Sequence, residues 1–170
     1  MLVDVAVHPA LREYITCTHN GSSVIYPDKG SRLWGLVSMY LSVQPTVRTR
    51  EEPAESSIQI AIYNSHAPVW CVDKRRTIHQ DTLFRNYLTP KGQKAIAKHL
   101  METFKQTYRA YMQGALSNNV QLTITDAIDE FCNDYRITCE RITYDMLRKD
   151  WYRHRLKTSG GEIAPGSWDK

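Results

Sequence analysis

The sequence has no close cysteine pair, no long apolar run and no internal repeat. Cys17, Cys71, Cys132 and Cys139 are scattered, and a lone Cys-x6-Cys spacing is a poor zinc signature. His66, Cys71 and His79 come nearest to a ligand set, without the spacing a zinc site needs. The longest apolar patch, 33–43, contains Ser38 and Ser42 and is too short to cross a bilayer. Asp4 interrupts the first apolar stretch, which is too short for a secretory leader. A cytoplasmic protein with reduced thiols and no membrane partner is therefore expected. The GxSxG, phosphate-loop and HExxH motifs are all missing, and Ser22, Ser23 and the histidines form no nucleophile arrangement. No cofactor is expected. His66, Asp73, His79 and Asp81 could be grouped as a metal-dependent nuclease cluster, but nothing in their spacing demands it.

What is present suits a small folded protein. A length of 170 residues with 42% hydrophobic content allows a sizeable core and argues against wholesale disorder. The net charge of +4 is modest, and its distribution says more. Lys74, Arg75, Arg76, Arg85, Lys91, Lys94, Lys98, Lys105 and Arg109 face only Asp81 and Glu102. Asp126, Asp129, Glu130 and Asp134 follow without a cation, and the last helix is basic again. Such alternation suits a surface that meets a polyanion, or a simply solvated charged face.

Leu2–Val7 reads as a strand ended by Pro9, which can open a short helix through Ile15. His19-Asn20-Gly21 is a turn, and Ser23–Tyr26 a second strand. Asp28 or Ser31 can cap a helix to about Ser42, with Leu33, Leu36, Val37, Tyr40 and Leu41 on one face. Residues 44–56 read as a polar loop. The stretch from Ser57 to Tyr63 alternates and turns Ile58, Ile60 and Ile62 to a core. Val69–Thr77 could return as its partner after a turn at 64–68. Thr89-Pro90 starts a helix to Met112 or Leu116. Its apolar side holds Ile96, Leu100, Phe104, Tyr108 and Tyr111, opposite Lys91, Lys94, Lys98, Lys105 and Arg109. The expected class is α+β: a small mainly antiparallel sheet packed with helices, then a helical C-terminal half. The expected division is 1–120, 121–157 and a tail 158–170, where Ile163 and Trp168 hint at docking.

The segment from Leu122 to Lys157 suggests a function. Residues 125–131 open one helix, Tyr135-Arg136-Ile137-Thr138 breaks it, and Arg141–Lys157 forms a second. Ala127 allows close approach, Ile128, Phe131 and Tyr135 supply an apolar face, and Leu147 with Trp151 anchors the second helix. The Ile137-Thr138…Ile142 spacing resembles the turn and early recognition helix of helix-turn-helix proteins. Tyr135 or Arg136 stands where those proteins often have glycine. Ile142 and Met146 lie on another side, as they would in a helix buried twice at a dimer interface. Arg141, Arg148 and Arg155 recur every seven residues, with Tyr152 among them. Arginine can grip guanine edges or phosphate, and tyrosine can donate to phosphate.

Three stretches resemble small uncharacterised proteins of phages and mobile elements in Bacteroidales: the strand ending at His8-Pro9, the segment 31–36, and Asp126-Ala127-Ile128 with 144–149. That resemblance implies an accessory protein acting on mobile DNA or on a host factor, and assigns no site residues. The leading expectation is a non-enzymatic, dimeric DNA-binding regulator. Arg141, Arg148, Lys149, Tyr152 and Arg155 would contact duplex DNA, with Lys91, Lys94, Lys98 and Lys105 adding sequence-independent attraction. The alternative is an assembly component that binds a phage or host protein.

Overall fold

A computed structural model describes residues 2–43, 56–62 and 87–158. The chain is α+β. In order, the elements are β1 (Leu2–Ala6), α1 (Pro9–Thr18), β2 (Val24–Ile25), α2 (Arg32–Tyr40), β3 (Leu41–Ser42), β4 (Ser57–Ala61), β5 (Tyr87–Leu88), α3 (Pro90–Asn118), α4 (Ile124–Asp134) and α5 (Arg141–Thr158). They form two compact units, Met1–Thr103 and Phe104–Lys170, divided within α3.

In the first unit β4 is the central strand of a three-stranded sheet ordered β1-β4-β2. β1 runs antiparallel to it, with Val5 opposite Ile58, and β2 runs parallel, with Ile25 opposite Ile60. Its alternating isoleucines bury Ile58, Ile60 and the following Ile62 completely. The parallel pairing of β2 departs from a purely antiparallel meander because α2 and β3, and not a hairpin, follow β2 in the chain. Pro9 opens α1, and the His8 ring accepts a hydrogen bond from the Ala10 N–H at 3.3 Å. Asn20 and Gly21 both take positive φ, and the Gly21 N–H reaches back to the Thr16 carbonyl at 2.8 Å. That six-to-one bond closes the C-terminus of α1.

Ser31 caps α2, its hydroxyl accepting from the Trp34 N–H at 3.0 Å. The helix ends at Tyr40, two residues short of the expected Ser42. Leu41 is extended instead (φ −71°, ψ 126°) and pairs with Leu88 in a two-stranded antiparallel ribbon. Both leucines are buried, so backbone pairing and leucine burial outweigh one more helical turn. Close by, Gly92 lies against the Tyr40 side chain, where no Cβ would fit.

The second unit is helical. From α3 it takes Phe104, Tyr108 and Met112, all fully buried at a spacing of four. Met112 takes the core place expected of Tyr111, which is half-buried and donates its hydroxyl to Asp134 Oδ2 at 2.8 Å. Phe131 of α4 is the centre of this core. Its ring lies 4.8–6.0 Å, centre to centre, from those of Phe104, Tyr108, Tyr111 and Tyr135, separations that favour tilted and edge-to-face packing. The strand expected at 69–77 and the turn at 64–68 lie outside the described residues, as do residues 44–55 and the tail beyond 158.

Candidate nucleic-acid interface

The α4–α5 hairpin is built by its two ends. At the start of α4, the Thr123 hydroxyl accepts from the Asp126 N–H at 3.1 Å, and Asp126 Oδ2 accepts from the Thr123 N–H at 3.3 Å. This reciprocal box satisfies two backbone donors that a helix start leaves without partners, and it gives Asp126 a structural role. Ala127, Ile128, Phe131 and Cys132 form the buried side of α4.

The far end of α4 closes with two bonds. The Ile137 N–H donates to the Cys132 carbonyl at 2.7 Å and the Arg136 N–H to the Asn133 carbonyl at 3.1 Å. This pattern requires a left-handed residue between helix and exit, a place usually held by glycine. Arg136 holds it at φ 52°. Ile137, the next residue, is buried and pins the turn. The connection then runs to Glu140, whose carbonyl accepts from the Tyr144 N–H at 2.9 Å as α5 begins.

α5 buries Thr143, Leu147, Asp150 and Trp151. Their spacing of three and four residues makes one narrow stripe. Asp150 is the unexpected member. Arg109 of α3 grips it with two hydrogen bonds, Nε to Oδ2 at 2.7 Å and Nη2 to Oδ1 at 2.8 Å. Lys105 Nζ stands 3.3 Å from Oδ1. Burial alone would raise the Asp150 pKa, but the Arg109 hydrogen bonds and the two positive charges outweigh it and hold the carboxyl below its ordinary range. The same hydrogen bonding raises the Arg109 pKa. The sequence signal for this acid was its position next to Trp151 and three residues after Leu147, on the apolar side of a basic helix.

Arg141, Arg148, Lys149, Arg153, Arg155 and Lys157 of α5 are all exposed. Asp145 is the only acid of α5 besides Asp150. Tyr152 is half-exposed, with the Arg148 guanidinium carbon 5.7 Å from its ring centre. Asp145, Arg148, Lys149, Tyr152, Arg153 and Leu156 line a shallow groove of about 340 Å³ along the helix. Arg141, Arg148, Lys149, Tyr152 and Arg155 therefore all reach solvent on one helix. Ile142, beside them, is 72% exposed.

The α3 lysines divide. Lys91, Lys94 and Lys98 are exposed and belong to the first unit. Lys105 belongs to the second and is held by Asp150, as is Arg109. The positive charge of this part of α3 is thus partly balanced within the fold.

Among the described residues no group of three His, Cys, Asp or Glu side chains could hold a metal ion. His66, Cys71, Asp73, His79 and Asp81 lie outside the described residues. Among the described residues, Cys17, Cys132 and Cys139 form no disulfide with one another. No helix among the described residues is long and apolar enough to cross a membrane. Comparison of the chain with protein-family models, curated proteins and solved structures gives no match.

Proposed function

We propose that this chain is a non-enzymatic DNA-binding regulatory protein, with the outer face of α5 as its contact surface. One observation carries the reading. Six exposed cations project from α5, while its inward acid, Asp150, is neutralised by α3. Within α5 the exposed cations therefore outnumber the one remaining acid of the helix, Asp145. Guanidinium groups of this kind can clamp phosphate or read guanine, and Tyr152, beside Arg148, offers a hydroxyl to phosphate. The short α4–α5 connection supports a helix-turn-helix mode of presentation. The resemblance to phage and mobile-element proteins favours an accessory role on mobile DNA.

The reading is tested by fluorescence anisotropy with labelled duplex and single-stranded DNA at two salt concentrations. Binding to duplex should weaken steeply with salt, because neutralised phosphates release counterions. Arg141→Glu with Arg148→Glu should abolish it while circular dichroism stays unchanged. Duplex binding that survives this pair would exclude α5 as the contact. No binding at low salt would exclude the function.

The exposure of Ile142 favours a second reading, in which α5 docks on a protein of the phage or host. Ile142→Ser should then break that association, and high salt should leave most of it intact.

A further inference from the structure

Among its described residues the second unit exposes two large aliphatic side chains, Val120 at 93% and Ile142 at 72%. Each stands beside charge of one sign. Val120 lies in the turn between α3 and α4. α4 itself has Asp126, Asp129, Glu130 and Asp134 and no lysine or arginine. Its buried side, Ala127, Ile128, Phe131 and Cys132, turns Asp129 and Glu130 the other way, and both are exposed. Ile142 stands in the first turn of α5. Ile142, Lys149 and Leu156 recur every seven residues and make a strip along that helix, with Arg153 one turn beyond Lys149. The strip is displaced by one residue, about 100° of rotation, from Arg141, Arg148 and Arg155. Lys149 and Arg153 are exposed. Among the described residues, neither they nor Asp129 and Glu130 take part in an ion pair. The acids of α4 are thus not paired with the cations of this strip inside one chain.

We propose that the second unit pairs with a second copy of this chain, the acidic side of α4 in one copy lying along the Ile142 strip of α5 in the other. Val120 would meet Ile142, and Asp129 with Glu130 would meet Lys149 with Arg153. Charge complementarity selects this occupant. Two α5 strips would set cation against cation, and two α4 sides acid against acid, at a cost that suppresses both pairings. A foreign acidic protein matches one patch, whereas a second copy matches both at once. Each copy offers both patches, so the contact is made twice and closes as a two-fold dimer. The proposal does not depend on DNA binding, because Arg141, Arg148 and Arg155 lie outside the strip.

Sedimentation velocity on the full chain, from low micromolar to sub-millimolar concentration at low salt, tests it. The wild type should shift from monomer to dimer. Asp129→Lys with Glu130→Lys should weaken the dimer at least tenfold, and so should Lys149→Glu with Arg153→Glu. Mixing these two variants should restore it. In the mixed pair, reversed α4 meets reversed α5 and native α4 meets native α5, so both contacts join opposite charges. Ile142→Ser, which leaves every charge in place, should also weaken the wild-type dimer, with circular dichroism unchanged. A wild type that stays monomeric would overturn the proposal and leave Ile142 to a foreign protein. A dimer that survives either charge reversal, or a mixture of folded variants that stays monomeric, would overturn it too.

Discussion

Arg109 and Asp150 meet edge to edge across α3 and α5, with both hydrogen bonds at 2.7–2.8 Å. Their geometry makes Asp150 a fastener between two helices, although it sits on a helix otherwise rich in positive charge. The carboxylate is buried, while the Arg109 side chain is 32% exposed and can be hydrated if its partner is lost. Asp150→Asn should therefore lower stability by about 1–3 kcal/mol, the range for hydrogen bonds to charged groups and for a deserted partner. Urea denaturation at neutral pH measures it.

The same pair has a pH signature. The folded Asp150 carboxyl titrates below its unfolded value. Its contribution is complete above the unfolded carboxylate value of about 3.9 and is lost as pH falls through the lower folded value. Acid titration of stability should show this loss in the wild type. In Asp150→Asn that component should be missing, so the two proteins should converge in stability as the solution is acidified.

Tyr108 offers the opposite experiment. Its ring is fully buried and its hydroxyl has no hydrogen-bond partner among the described residues. Burial, with the nearby Asp150 charge, pushes the phenol pKa up. A buried polar group without a partner costs about 1–3 kcal/mol. Tyr108→Phe keeps the ring and removes that cost, so the melting temperature should stay level or rise. A fall would mean that the hydroxyl is satisfied in solution.

Arg136 occupies a backbone position better suited to glycine. A left-handed conformation costs a side-chain-bearing residue about 1–2 kcal/mol, whereas glycine's greater freedom in the unfolded chain returns about 0.5–1 kcal/mol of that. Arg136→Gly should accordingly stabilise the protein modestly. Arg136→Ala keeps the Cβ and should not, which separates backbone relief from removal of charge.

Gly92 should behave contrary to helix propensity. Alanine is ordinarily better than glycine inside a helix by about 1 kcal/mol. Here its Cβ would run into Cβ and Cγ of Tyr40 and approach Leu88 Cδ1 at 3.1 Å. Cβ of Tyr40 is fixed to its backbone and cannot swing aside. Gly92→Ala should destabilise by about 1–3 kcal/mol, the usual cost of overpacking, seen as a lower denaturation midpoint.

The helices were legible because their punctuation is local. Pro9, Ser31, Thr89-Pro90 and the 135–138 break each act within a turn of their own position. The isoleucines of β4 were equally plain from their alternation. What escaped the sequence depends on distant partners. Leu41 leaves its helix because Leu88 pairs with it, 47 positions later. Lys105 and Arg109 looked like a free basic ridge because nothing nearby in sequence announces Asp150. For the proposed interface, the sequence located the cations of α5 but could not separate the neutralised part of α3 from the exposed face of α5.

The ring cluster around Phe131 gives the second unit its own optical label. Tyr108, Tyr111 and Tyr135 are held edge-on or tilted to Phe131 within 6.4 Å of one another or of its ring. Tyrosines fixed in such asymmetric surroundings give near-ultraviolet circular dichroism that vanishes when side-chain packing loosens, even if the helices persist. A titration followed at those wavelengths would register loosening of this core before the backbone signal changed.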